Sequence, residues 1–230
     1  MDIQILHLIE GARAARGLTV IIDVFRAFTV EAWLAHRGAA RILPVGDKRL
    51  AYEYREAHPD AILVGERLGH ILPGFDFGNS PSQIELADLR GRTVVHTTSA
   101  GTQGIANAIH AEEVLGGSLV NAAAIARYIR ARQPEQVSLV CMGLNAQRET
   151  EEDTLCARYI RSLLEGCPLA LEPELEGLRC TSGAKFFDPA QTDFPERDFT
   201  LSTEADRFPF VLRRRKTEEG WDEMEVVREF

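Results

Sequence analysis

The chain has 230 residues, a formal net charge of -9, 45% hydrophobic and 27% charged residues, the composition of a soluble globular protein long enough to bury a full core. The acidic balance argues against a nucleic-acid surface, which needs Lys and Arg to hold phosphates. No segment has the apolar length of a membrane helix, and the N-terminus lacks the basic-then-apolar order of a signal peptide, so a cytoplasmic location is expected. Cys141, Cys156, Cys167 and Cys180 show no CxxC spacing and read as reduced thiols rather than a zinc site or disulfide framework.

Leu18 to Phe25 (LTVIIDVF) is a nearly continuous β-branched and apolar run, the pattern of a strand buried on both faces of a parallel sheet. Ala27 to Gly38 follows with helical spacing and stops at a glycine. Strands are expected at Arg41–Val45, Ala61–Gly65, Thr93–Thr97, Val114–Gly116 and Val137–Met142, and helices at Asp47–His58, Thr102–His110, Asn121–Arg132 and Glu149–Glu165. This alternation specifies an α/β fold with a mainly parallel sheet flanked by helices. From about Pro168 the pattern changes to prolines and scattered aromatics without a sustained helical period. Short strands at Phe208–Arg214 and Trp221–Val227 would pair at a sheet edge or form a second small lobe. The chain reads as one domain over residues 1–230, with two closely packed lobes, about 1–165 and 166–230, as the alternative.

The stretch Val64 to Gln83 (VGERLGHILPGFDFGNSPSQ) is not explained by packing alone. It carries an acid and a base, Glu66 and Arg67, and over its whole length four glycines and two prolines, with Asp76, Asn79 and Ser80. Loops this long in compact domains are usually functional. In an open α/β sheet, ligands bind beyond the carboxyl ends of the strands. Asp23 and Arg26, Glu66 and Arg67, TTSAGT (Thr97–Thr102), and Gly143 with Asn145 all fall at such ends, which points to one shared site.

Within TTSAGT, Gly101 lets the backbone approach a ligand while Thr98, Ser99 and Thr102 offer hydroxyls near a helix start. An N-cap and a tight turn use the same residues. Ser80 has the same two readings, as a ligand to the site or as the cap of a helix begun at Pro81. Asp23, in an apolar strand, needs a partner: a cation, Arg26 or backbone amides. Glu151, Glu152 and Asp153 read as the solvated first turn of a helix, from which one could reach a metal. His96, inside a strand, reads as core or as a group behind the site rather than a catalytic base. His36, His58, His70 and His110 read as surface or loop residues. Carboxylates converging with arginines and hydroxyl-lined turns suit a Mg²⁺-assisted phosphoryl site. No Walker lysine pattern, GxGxxG or GxSxG occurs.

Five stretches, IIDVFRAFT (Ile21–Thr29), GERLGHILPGFDFGNSP (Gly65–Pro81), HTTSAGT (His96–Thr102), GSLVNA (Gly117–Ala122) and CMG with EED (Cys141–Gly143, Glu151–Asp153), resemble in order the motifs of the 2-phosphosulfolactate phosphatases, the ComB family. The resemblance implies a magnesium-dependent acid phosphatase that converts 2-phospho-3-sulfolactate to 3-sulfolactate and phosphate, a step toward coenzyme M. By motif position it implies functional roles for Asp23, Arg26 and Thr29, for Glu66 and Arg67, for Asn79 and Ser80, and for Thr97, Thr98, Gly101 and Thr102. Asp23 and Glu66, with Asp153, are the expected Mg²⁺ ligands. Arg26 and Arg67, with the TTSAGT stretch including Ser99, are expected to bind phosphate and the substrate's second anion. Phe28 and the Ser99–Ala100 pair, where the chain departs from the family pattern, are expected to touch the site. The expected partner is a small phosphorylated anion, with no nucleic acid or membrane and a homodimer as the possible assembly. A non-catalytic binder of phosphate- or sulfonate-bearing anions is the alternative function.

Overall fold

The computed structural model describes residues 1–230. It begins with β1 (Asp2–His7), α1 (Leu8–Ala14), β2 (Leu18–Ile22), α2 (Ala27–His36), β3 (Arg41–Pro44), α3 (Lys48–Ala57), β4 (Ile62–Arg67) and β5 (His70–Ile71). After the long loop come α4 (Pro81–Glu85), β6 (Thr93–Thr97), α5 (Gly101–Asn107), β7 (Glu113–Gly117), α6 (Ala122–Arg132), β8 (Gln136–Cys141) and α7 (Glu151–Glu165). The C-terminal part adds α8 (Glu172–Leu178), α9 (Glu196–Thr203), β9 (Val211–Lys216) and β10 (Asp222–Val227).

The strands form two sheets. One has six strands in the order β1-β8-β2-β7-β9-β10, the other four in the order β3-β6-β4-β5. The strands that alternate with helices pair in parallel: β1 with β8, β8 with β2, β2 with β7, β3 with β6, and β6 with β4. The antiparallel pairs are β7 with β9, β9 with β10, and β4 with β5. The two C-terminal strands therefore extend the sheet to which β2 belongs.

Period-two alternation sorts the strand residues into three apolar layers. Ile21, Val140, Ile42, Val64 and Val94, drawn from both sheets, share one central core with Phe28 and Trp33 of α2. Val20, Ile22 and Leu139 point the other way, to a second core with Ile125 of α6 and Ile160 of α7. Leu43, Leu63 and Val95 face a third core with Ala51 and Tyr54 of α3. Helix α2 is buried from Ala27 through Ala35, as a helix apolar on nearly all sides must be.

Phe28 is wholly buried in that central core and does not line the pocket described below, which corrects the expectation that it touches the site. Its ring packs against Gly116 of β7, where a Cβ would come within 2.6 Å of Phe28 Cδ1. The missing side chain in the strand makes room for the ring.

Two further departures concern regions outside the main motifs. The N-terminal β1 and α1 are absent from the sequence reading, although the apolar residues of DIQILH partly alternate. The tail, read as lacking helical period, holds α8, α9 and a 3-10 turn at Ala184–Phe187. All four cysteines are free thiols.

Phe28→Ala is expected to cost about 3–5 kcal/mol. The check is urea unfolding, in which the midpoint should fall while the slope stays unchanged.

Candidate active site

A pocket of about 380 Å³ opens at the carboxyl ends of the strands and takes residues from both sheets. The turn after β2 supplies Asp23, Phe25 and Arg26, the end of β4 supplies Glu66, and the turn after β6 supplies Ser99 and Ala100. The β8–α7 loop contributes Gly143, Arg148 and Thr150, and the C-terminal part closes one wall with Ser182, Lys185 and Phe194.

Three carboxylates at this end of the molecule are held by backbone amides. Asp23 accepts from Ala27 N at 3.1 Å through Oδ1 and from Gly101 N at 2.8 Å through Oδ2. A Cβ on Gly101 would lie 2.7 Å from that of Ala27 and 3.0 Å from Asp23 Oδ2, so a glycine is what lets this turn close on the carboxylate. Glu66 accepts from Ser99 N at 2.6 Å, Gly69 N at 2.7 Å and Ser99 Oγ at 3.1 Å. Asp153 accepts from Val24 N and Gly143 N, each at 2.8 Å. It is not among the lining residues and sits behind the pocket as a strap between two turns. The partners of Asp23 are thus amides rather than Arg26.

Of the EED run, only Glu151 is exposed, while Glu152 and Asp153 are buried. This corrects the reading of a solvated first turn: that side of α7 lies against the strand ends and close to Ser182 and Lys185 of the C-terminal part. Burial, then repulsion from Glu66 and Glu152, raises the Asp23 carboxyl to about 6. Burial also raises Glu152, and with repulsion from its acidic neighbours it raises Asp153 well above the usual carboxylate range.

The cations divide into braces and free groups. Arg26 lines the pocket, but its Nη1 donates to Asp198 Oδ2 at 2.6 Å and to the Asp193 carbonyl at 2.8 Å, and its guanidinium lies 4.5 Å from the Phe194 ring centre. The Arg26–Asp198 pair is buried on both sides. Arg67 turns away from the pocket and donates to the carbonyls of Glu66 and Gly46 and to Thr97 Oγ1. Lys185 and Arg148, absent from the sequence reading, line the pocket and form no ion pair. Lys185 is half-buried, with its ammonium 5.1 Å from the Phe194 ring centre. Burial holds it below the usual lysine value against the pull of Glu152. Arg148 lies in the loop after β8, whose Gly143 and Asn145 the sequence reading did single out; the aromatic-rich tail offered no such signal for Lys185.

The loop hydroxyls serve mostly structure. Thr98 N donates to Thr102 Oγ1 at 2.9 Å, and Thr102 N to Thr98 Oγ1 at 3.2 Å, a reciprocal cap at the start of α5. Thr97 receives Arg67, and Ser80 Oγ donates to Asp198 Oδ1 at 2.9 Å rather than capping α4. Thr29 Oγ1 lies 2.7 Å from Ser118 Oγ and donates to the Val24 carbonyl. None of Thr29, Ser80, Thr97, Thr98, Gly101 and Thr102 lines the pocket, whereas Asn79 and Ser99 do. The Ser99 and Gly101 amides, expected at a phosphate, are taken by Glu66 and Asp23.

No group of three or more His, Cys, Asp or Glu side chains is placed to hold a metal ion. Two hard carboxylates, Asp23 and Glu66, do line one pocket and repel each other. That donor set fits Mg²⁺, which commonly takes one or two carboxylates and completes its shell with water and substrate phosphate.

Amide-held carboxylates and cations without ion pairs thus meet in one pocket at the strand ends of an α/β protein. The family model described as 2-phosphosulpholactate phosphatase matches residues 3–208. The chain belongs to the 2-phosphosulfolactate phosphatase family. It is 40% identical over 131 residues to a probable 2-phosphosulfolactate phosphatase of Deinococcus radiodurans, which covers 56% of this chain and 55% of that protein. A protein of the same description in Thermoplasma acidophilum is 34% identical over 65% of this chain and 66% of its own length. The first two relatives are thus matched over less than two thirds of their length. The one in Bacillus subtilis is 27% identical over 93% of each chain.

Asp23 binds its proton more tightly folded than unfolded, so its contribution to stability falls as pH rises from about 4 to about 6 and is level above that. In EDTA, the stability of Asp23→Asn relative to the parent should rise by about 2–3 kcal/mol across that window, as read by urea unfolding at each pH. Asp198→Ala, which strands the buried Arg26, is expected to cost about 3–5 kcal/mol in the same measurement.

Proposed function

We propose that the chain is a phosphoric monoester hydrolase of 2-phospho-3-sulfolactate, or of a similar 2-phospho hydroxy acid, acting in the cytoplasm with Mg²⁺ held by Asp23 and Glu66. The observation that carries the reading is the pairing, in one pocket, of two amide-fixed carboxylates with two cations that form no ion pair. Carboxylates alone would repel a phosphate ester, and cations alone would bind without turning it over. Membership of the family supplies the substrate class. No helix is long and apolar enough to cross a membrane.

Lys185 and Arg148 attract the dianionic phosphoryl group and the second acid group of the substrate. A half-buried ammonium without a partner gains most from an arriving anion, because little water screens it. Arg26, locked by Asp198, gives the same wall a fixed positive face. Bound Mg²⁺ would supply further positive charge at the phosphoryl oxygens. Hydrolysis adds the oxygen of water to phosphorus, breaks the ester P–O bond and returns one proton to the released hydroxyl. Asp23, whose carboxyl lies near 6 with no cation beside it, would give up its proton on holding Mg²⁺, because a bound cation favours the charged form. Phe25, Phe194 and Leu68 keep the pocket partly dry, which strengthens each of these interactions.

The test is phosphate release from 2-phosphosulfolactate, phospholactate, phosphoglycolate and the phosphoglycerates, with Mg²⁺ and with EDTA. Release that depends on Mg²⁺ is expected, with a loss of at least about 100-fold in Asp23→Asn. Lys185→Ala should lower kcat/KM by about 10–100-fold, mainly through KM. Undiminished turnover in Asp23→Asn would remove the assignment. Binding without release from any ester would favour an anion-binding protein.

A further inference from the structure

Asn79 reaches the pocket from the end of the long loop, and a polar chain that packing does not require lies behind it. Its Oδ1 is 3.3 Å from His96 Nε2, and His96 Nδ1 is 2.9 Å from Glu31 Oε1. His96 lies on β6 and Glu31 on α2; both are wholly buried, and Glu31 Oε2 has no hydrogen-bond partner. Such a pair is a poor device for stability, since apolar replacements of similar volume are often neutral or better. What it does is decide which end of the Asn79 amide faces the pocket.

Glu31 Oε1 lies on Nδ1, so Nε2 is the ring nitrogen that faces Asn79. That nitrogen has two options. Without a hydrogen, Nε2 would accept from the Asn79 NH2, turning the amide oxygen toward the pocket and against an anion. With a hydrogen, it donates to Oδ1 and turns the NH2 toward the pocket. The structure places Oδ1 on the ring, and Nδ2 makes no hydrogen bond within the chain. The arrangement therefore calls for a hydrogen on Nε2.

We infer that Glu31 and His96 are a positioning pair that aims the Asn79 NH2 into the pocket as a donor to an oxygen of the bound anion. The inference rests on the proposed reading of the pocket as the anion site. Asn79 touches the substrate; His96 and Glu31 act through it.

A double-mutant cycle and an NMR titration test this on the full chain with Mg²⁺. Asn79→Ala and His96→Leu should each lower kcat/KM by about tenfold or more. The double variant should be no worse than Asn79→Ala alone, because His96 has nothing left to orient. Losses that multiply would assign His96 a merely structural part and overturn the inference. His96→Gln, which keeps an N–H in reach of Oδ1, should recover most of the loss. In the titration, the Asn79 side-chain NH2 signals should move as inorganic phosphate is added to the parent, stay put in His96→Leu and move again in His96→Gln. This readout needs no turnover. A parent that hydrolyses no ester yet shows the phosphate response sinks the proposed activity alone, whereas Asn79 signals indifferent to phosphate overturn the positioning pair. If His96→Leu fails to fold, Asn79→Asp decides: it keeps the shape and replaces the donor by an acceptor, and undiminished kcat/KM there would overturn the inference.

Discussion

Three carboxylates stitch the carboxyl ends of the strands together by accepting from backbone amides on other turns. Asp153 joins the turn after β2, through Val24, to the turn after β8, through Gly143. Asp23 joins its own turn to Gly101 after β6, and Glu66 joins the end of β4 to Ser99 on that same turn. Asp153 works within the six-stranded sheet and Glu66 within the four-stranded one, while the Asp23–Gly101 bond crosses from one sheet to the other at the pocket. Charge-assisted bonds of this kind are stronger than neutral ones. They also gather negative charge where desolvation makes it costly, and the elevated Asp23 and Asp153 express that tension.

The cations follow from the same constraint. An arginine buried beside these acids must itself be compensated, and Arg26 is, by Asp198 and the Asp193 carbonyl. Arg67 spends its donors on carbonyls and Thr97. The arginines nearest the motif acids are therefore structural in geometry, and the positive charge left without an ion pair is that of Lys185 and Arg148. Lys185 stands among the rings of Phe25, Phe186 and Phe194, a setting that attracts an ammonium without neutralising it.

Much of this fold was legible before the structure. The LTVII run and the alternation after it gave the parallel order, because continuous β-branched runs and helical spacing are local signals. The gathering of Asp23, Glu66 and Ser99 was legible from their positions at strand ends, and Asn79 was added by the family motif. What each side chain does there was not. Whether Arg67 faces a ligand or a carbonyl depends on the backbone of Gly46, 21 residues away in sequence. Ser80 reads as a cap by local rules, yet its hydroxyl goes to Asp198, 118 residues away. The division of strands into two sheets was hidden for a similar reason: both sheets obey the same alternation, and only the all-round apolar character of α2, between them, hints at a helix with a sheet on either side. The tail carries short helices that pack on earlier ones, α8 on α7 and α9 on α4, so they depend on tertiary contact rather than on their own periodicity.

The Arg26–Asp198 pair also sets an order of assembly. Its partners lie 172 residues apart in the chain, and Ser80 and Ser82 meet the same aspartate. During synthesis the guanidinium emerges long before its counter-ion, and the first two thirds of the polypeptide can form their local strand–helix units while that charge still faces water. The wall bearing Lys185 and Phe194 lies against this pair, since the Asp193 carbonyl and the Phe194 ring both meet the Arg26 guanidinium. Contacts of such sequence separation close a long loop before they return any stabilisation, so this wall of the pocket is tied to the slowest kind of contact in the fold.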